Sequence, residues 1–261
     1  MVSKPRVKLT ARDLSVLADT ANWGVLSLNQ LRRRHFAGLA LSVSSERITR
    51  LSDAGLISKQ RVGILMHHGQ PKEIGSVVTL KKVGLGILIR AGLSNPKQMH
   101  PRPLNTAELH HDLLLVDLSE ALKLREPGCR IVRGERGIYG LRIGQRVPDL
   151  IVETTHARWA VELELTAKSN TRYRQILASY QVSSDYDRVL YAVANAAIAT
   201  KIRSLLGAHL KSGTSPFGRL EKFTFRPMTD LIRSPSAEKS KEPTTTTNTF
   251  LGGENHANER L

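Results

Sequence analysis

The chain has 261 residues, 40% hydrophobic and 24% charged, enough for two modest domains with cores of their own. Its 39 Lys and Arg against 23 Asp and Glu give a formal net charge of +16, and residues 1–104 hold 17 of the basic residues against 5 acidic ones. So uneven an excess excludes a general solubility device and points to a polyanionic partner, because each Lys or Arg on a phosphate releases condensed counterions.

In chain order, Lys4, Arg6 and Lys8 lead into Thr10 with no apolar run of the signal-peptide kind. Thr10 and Asp13 form an expected N-cap pair, followed by Leu14, Leu17 and Ala18 at helical spacing. A second helix is expected from Ser27, with Leu28, Leu31 and Phe36 apolar and Arg32 to Arg34 exposed. A third runs from near Ser44 to Ala54, before Gly55, with Ile48 and Leu51 as its buried stripe. Two β-like runs, Arg61 to Met66 and Glu73 to Thr79, flank the turn-forming His67-His68-Gly69-Gln70-Pro71. Leu80 to Ala91 reads as a closing helix. The apolar stretch Val83 to Leu93 is broken by Gly84, Gly86, Arg90 and Gly92 and is too short to span a bilayer. A cytoplasmic protein without membrane contact is expected.

Three helices, a two-stranded ribbon and a final helix read as a winged helix-turn-helix over residues 8–95. Residues 96–104 carry Pro96, Pro101 and Pro103 and read as a linker. A second domain, 105–232, opens with a helix from Asn105 to Leu124. Cys129 to Val132 is an expected strand, and Cys129, the one cysteine, excludes an intrachain disulfide and fits a reducing compartment. Arg133 to Gln145 is Gly-rich and basic. Strands follow at Val147 to Val152 and Trp159 to Leu165, then a helix at 172–182, a strand at 188–194, a helix at 198–210 and a strand at 223–226. That order implies a mixed sheet flanked by helices, an α+β or α/β arrangement. Residues 233–261 are polar and are expected to be disordered.

The stretch that carries chemistry is Pro148-Asp149, then Glu162-Leu163-Glu164, then Lys168. Glu162 and Glu164 are two apart in a strand and share a face, and a hairpin brings Asp149 close to Glu162. Three carboxylates in one desolvated place repel unless a cation or protons compensate. A hard divalent ion with oxygen ligands, Mg²⁺ or Mn²⁺, is the expected compensator.

These residues resemble the PD-(D/E)xK nuclease superfamily, in which the Asp and the first acidic residue of the second strand hold the metal. The position two further on is usually Lys there; here it is Glu164, which leaves a third-ligand or general-base role open, with Lys168 restoring positive charge. The wider pattern of "ELHHDLLLVDLSEAL", "GER", "VPDLIVE" and "WAVELELTAKSNTRYRQILASY" behind a winged helix resembles the plasmid replication-relaxation family and its mobilisation protein C type of relaxase. The resemblance implies a centre of Asp149, Glu162, Glu164 and Lys168, supported by Glu135 and His111. It also implies metal-dependent nicking of double-stranded DNA at a plasmid transfer or replication origin, alongside other mobilisation proteins. A non-catalytic DNA-binding regulator or replication accessory with a degenerate nuclease fold stays open, as does a restriction-like defence nuclease.

For DNA contact, Ser44, Ser45, Arg47, Thr49 and Arg50 are placed on the exposed side of the third helix and Arg61 on the ribbon, where Arg reads guanine edges or grips phosphates. The Arg32–Arg34 run reads as a solvated or backbone-contacting patch. Glu108 and Asp112 are alternative acidic contributors. Tyr139, Tyr173 and Tyr180 read as packing residues. Adjacent histidines on a helix point about 100° apart, so His110 and His111 do not chelate one ion together.

Overall fold

Thr10 begins the fold as one half of a capping box: its hydroxyl accepts the Asp13 amide while the Asp13 carboxylate accepts the Thr10 amide, which satisfies two backbone donors at once. Helix α1 (Ala11–Trp23) ends at Gly24, whose φ of 79° suits glycine. A short strand β1 (Val25–Ser27) follows, and Ser27 pairs reciprocally with Gln30 to cap α2 (Leu28–His35). Next come α3 (Leu41–Asp53), the antiparallel strands β2 (Ile57–His67) and β3 (Gln70–Leu80), and α4 (Lys82–Arg90). β1 lies along β3, giving a three-stranded sheet in the order β1-β3-β2. In this computed structural model the described residues are 7–67, 70–93, 104–134, 146–211 and 220–232. Glu135, Tyr139, most of the basic run, His68, most of the Pro-containing linker and the tail lie outside them.

The second half starts with α5 (Leu109–Arg125), later than the expected Asn105, whose side chain instead accepts the Ala107 amide at 3.1 Å. A five-stranded sheet has the order β4-β5-β6-β7-β8. β4 (Arg130–Arg133), β5 (Leu150–Glu153) and β6 (Arg158–Glu164) are antiparallel; β7 (Arg188–Val193) and β8 (Phe223–Pro227) run parallel to β6. Helices α6 (Asn170–Val182) and α7 (Ala196–Lys211) provide the crossovers, and a five-residue helix α8 (Met228–Ile232) follows β8. β5 begins at Leu150, so Pro148 and Asp149 stand just ahead of the strand instead of within it.

Strand alternation sorts the sheet into two faces. Leu150, Val152, Val161 and Leu163 pack with Leu114, Leu115, Leu118 and Leu122 of α5. Ile151, Ala160, Val189 and Tyr191 pack with Tyr173, Leu177 and Tyr180 of α6 and with Ile202 and Leu206 of α7. The architecture is mixed α+β with two sheets. No helix among the described residues is long and apolar enough to cross a membrane.

Helix α5 also belongs to the first half. Its Leu114, Leu115 and Leu118 share one apolar cluster with Leu17, Leu31 and Val78. Gln30 Nε2 donates to the Leu113 carbonyl at 2.8 Å and to Asp117 at 2.9 Å. Arg33 pairs with Asp117 and Glu120 at 2.7 and 3.0 Å, and Arg34 with Asp19 and Glu120 at 2.7 and 3.1 Å. The expected solvated arginine patch is therefore corrected at Arg34, which is 16% exposed at the side chain and faces acids of α1 and α5, whereas Arg33 stays exposed while pairing with acids of α5.

Candidate active site and nucleic-acid interface

Strand β6 carries Glu162 and Glu164 on the face covered by α6, and both are 1% exposed. Apolar neighbours alone would make that burial prohibitive, but each acid has specific partners. Arg146 binds Glu162 through two guanidinium nitrogens, at 3.0 and 2.9 Å, and the Tyr180 hydroxyl donates to the same carboxylate. Lys168 donates to Glu164, and the Tyr173 hydroxyl lies 3.5 Å from its other oxygen. Asp149 accepts the Leu163 amide of β6 at 2.7 Å, and His111 Nε2 of α5 lies 3.4 Å from the same oxygen. Beside it, Asp112 accepts from Arg133 at 2.8 Å, and Arg133 also donates to the Trp23 carbonyl at 2.7 Å. Apart from the two tyrosines and Trp23, these groups line one cleft of about 890 Å³, together with Glu108 and Thr166.

Burial, reinforced by the charge of Asp149, pushes the Glu162 carboxyl up to about 7 despite Arg146 and Tyr180. Burial also raises Glu164, with Lys168 opposing. For Asp149, burial is outweighed by the hydrogen bond and charge of His111, so its carboxyl stays below the usual range. Burial disfavours a charged His111, yet the two flanking aspartates raise it to about 10. The two aspartates thus favour its imidazolium form. The acids therefore face an arginine, a lysine and a histidine supplied by the chain itself.

The candidate metal donors are carboxylate oxygens, the hard set that Mg²⁺ and Mn²⁺ take, and both oxygens of Glu162 already accept from Arg146. Among the described residues no group of three or more His, Cys, Asp or Glu side chains is arranged to hold one ion, so the expected convergence of all three acids on one ion is not preformed. Mg²⁺ needs only one or two carboxylates and keeps several waters. By donor chemistry Asp149 and Glu162 fit that demand, with Arg146 sharing Glu162.

Arg146, three residues before Asp149 at the end of a basic run, is a site residue that no local sequence pattern marks. Tyr173 and Tyr180, expected as packing residues, are fully buried, and both hydroxyls also face the acids. Glu135 falls outside the described residues.

On α3 the structure corrects two expected DNA-contacting residues. Ser44 is 0% exposed and donates to the Leu41 carbonyl at 2.9 Å. Arg47 is turned inward onto the buried Asp13 carboxylate, with Nε at 2.7 Å, and onto the Lys8 carbonyl at 2.9 Å. The outer face is formed by Ser42, Glu46, Thr49 and Arg50, with Ser45 half-buried among them. Arg50 pairs with Glu46, Lys59 donates to Thr49 at 3.1 Å, and Arg61 is exposed on β2.

Compared with protein-family models, curated proteins and solved structures, the chain matches none.

Proposed function

We propose that the chain binds double-stranded DNA through a winged helix-turn-helix formed by its first half and nicks it at a PD-(D/E)xK-like site on the second sheet. The carrying observation is the juxtaposition of Asp149, ahead of β5, with Glu162 and Glu164 on adjoining β6, all lining one cleft with Lys168. The basic first half supports a polyanionic partner. By resemblance the DNA is a plasmid transfer or replication origin, and other mobilisation proteins are partners there.

Each residue has a chemical part in hydrolysing a phosphodiester bond. Asp149 and Glu162 would hold Mg²⁺ or Mn²⁺, which when bound supplies Lewis acidity and lowers the pKa of water. Glu164, buried and raised in pKa, is suited to take the proton of the attacking water. Lys168 holds Glu164 in place and presents positive charge towards a phosphate. His111, favoured as an imidazolium by its two aspartates, keeps Asp149 ionised and oriented.

A second reading, a non-catalytic DNA-binding accessory, is favoured by one observation: Arg146 already neutralises Glu162 with two hydrogen bonds. Supercoiled plasmid carrying a candidate origin, incubated with the protein and Mg²⁺ or Mn²⁺, separates the two. The nuclease reading expects open-circular product with wild type and none with Asp149→Ala. Equal product from both, or none with either metal, overturns it.

A further inference from the structure

Both oxygens of Glu162 are held by a single cation: Arg146 Nε donates to one at 3.0 Å and Nη2 to the other at 2.9 Å. At Asp149, by contrast, His111 and the Leu163 amide meet on one and the same oxygen. Of the two acids read above as metal ligands, Glu162 is thus the one that has to change partners. Its other partner is no rival to a cation, because the Tyr180 hydroxyl is neutral and donates to one oxygen only. Nor is the guanidinium trapped: the Arg146 side chain is 23% exposed against 1% for Glu162, and it lines the cleft.

Charge limits what can take the place of Arg146. Asp149, Glu162 and Glu164 are already met by basic side chains, His111, Arg146 and Lys168 respectively. A divalent ion added to that set brings surplus positive charge beside largely buried groups, which is unfavourable unless an anion enters with it. A phosphodiester supplies that anion, and a guanidinium binds it through paired hydrogen bonds just as it binds a carboxylate. We propose that Arg146 is a displaceable counter-ion: it occupies Glu162 until a DNA phosphate enters the cleft, then passes to the phosphate and leaves Glu162 to the metal. The metal site is thereby completed only on DNA, which keeps the hydrolytic centre closed in the free chain. This rests on the metal-dependent nuclease reading above and names the regulation of that site.

The test titrates the full chain with Mn²⁺, read by the electron paramagnetic resonance of the free ion, with and without a short duplex. It is run at pH 8.5 under argon, so that protons compete little with the ion for Glu162. Asp149→Ala supplies the background of Mn²⁺ bound by the DNA itself. Hydrogen bonds to a charged group are worth about tenfold or more in an equilibrium constant. Wild type should therefore bind Mn²⁺ about tenfold more tightly with the duplex than without it. Arg146→Met should bind Mn²⁺ about tenfold more tightly than wild type in the absence of DNA, and should gain less from the duplex. Arg146→Lys, which keeps the charge but not the fork, should fall between the two and serves if Arg146→Met does not fold. A wild type that gains nothing from a duplex it binds overturns the inference while the metal-dependent reading stands. So do variants that bind Mn²⁺ no more tightly than wild type, or that gain as much from the duplex. If no form takes up more Mn²⁺ than Asp149→Ala, with or without the duplex, the metal-dependent reading falls as well.

Discussion

Arg146 holds Glu162 through paired nitrogens at 3.0 and 2.9 Å, on a carboxylate that is only 1% exposed. A charge so buried is tolerated because the guanidinium and the Tyr180 hydroxyl replace its water. Arg146→Ala removes the larger compensation, and the Glu162 carboxyl, raised to about 7 even with the pair intact, then takes up a proton near neutral pH; the penalty appears above about 7, where the carboxylate must stay charged. Arg146 is itself 23% exposed at the side chain, so it can return to solvent if its partner is lost. Urea unfolding should therefore show Arg146→Ala more destabilised at pH 9 than at pH 6, and Arg146→Ala/Glu162→Gln largely restored at pH 9. Equal destabilisation of the two variants would mean that the guanidinium acts through packing alone.

Asp19 accepts from Arg34 at 2.7 Å and lies 2.8 Å from His35 Nε2. Burial raises its carboxyl, but these hydrogen bonds outweigh that and hold it at about 2, against 3.8 unperturbed. A depressed carboxyl contributes stability that is complete above about 3.8 and is lost as pH falls through about 2. The contribution is about 2 kcal/mol at neutral pH. Unfolding midpoints measured from pH 5 to pH 2 should fall less steeply for Asp19→Asn than for wild type, and a parallel fall would contradict the assignment.

Arg47 and Arg50 lie three apart on α3 yet should respond differently. Arg47→Ala strands the buried Asp13 carboxylate, which also caps α1, and the loss of a hydrogen-bonded charge costs about 1.5–3 kcal/mol. Arg50 is 60% exposed at the side chain, and Arg50→Ala should leave stability within about 0.5 kcal/mol. It should instead weaken DNA binding and lower the slope of log K against log salt by about 1 if Arg50 grips a phosphate. Thermal melts and anisotropy over a salt series check both halves. A destabilised Arg50→Ala with unchanged DNA affinity would reverse the roles.

How far such features are legible in sequence follows from range. The Thr10–Asp13 cap, the β2–β3 hairpin and the apolar faces of β6 and β7 depend on neighbours within a few residues, and local pattern announces them. Ser44 was legible too, since it stands four before Ile48 and seven before Leu51 on the buried stripe. Its hydroxyl disguised it, because a bond to the Leu41 carbonyl makes burial cheap. Arg33 and Arg34 were not legible, because the acids they meet are set by the docking of α5, more than eighty residues away for Asp117 and Glu120. At the site, the acids were visible in their strand spacing. Their counterions were not, because Arg146 and Tyr180 reach Glu162 from separate elements.

Gly134 links the sheet to the placement of Asp149. Its amide donates to the Asp149 carbonyl at 3.0 Å, and a Cβ built there would stand 1.7 Å from the Pro148 carbonyl oxygen. That obstacle is backbone, so no side-chain rotation relieves it, and Gly134→Ala must push Pro148 and Asp149 away from β4. Asp149 would then lose its geometry with the Leu163 amide and His111, a shift of the order that costs catalytic sites about 100-fold. Gly84 offers the control: a Cβ there meets the Leu56 carbonyl at 2.3 Å, equally on backbone but in the first half of the chain. Both alanine variants should lose stability, but at a temperature where each remains folded only Gly134→Ala should lose nicking of a plasmid it still binds. Equal nicking by the two folded variants would show that the position of Asp149 does not govern the chemistry.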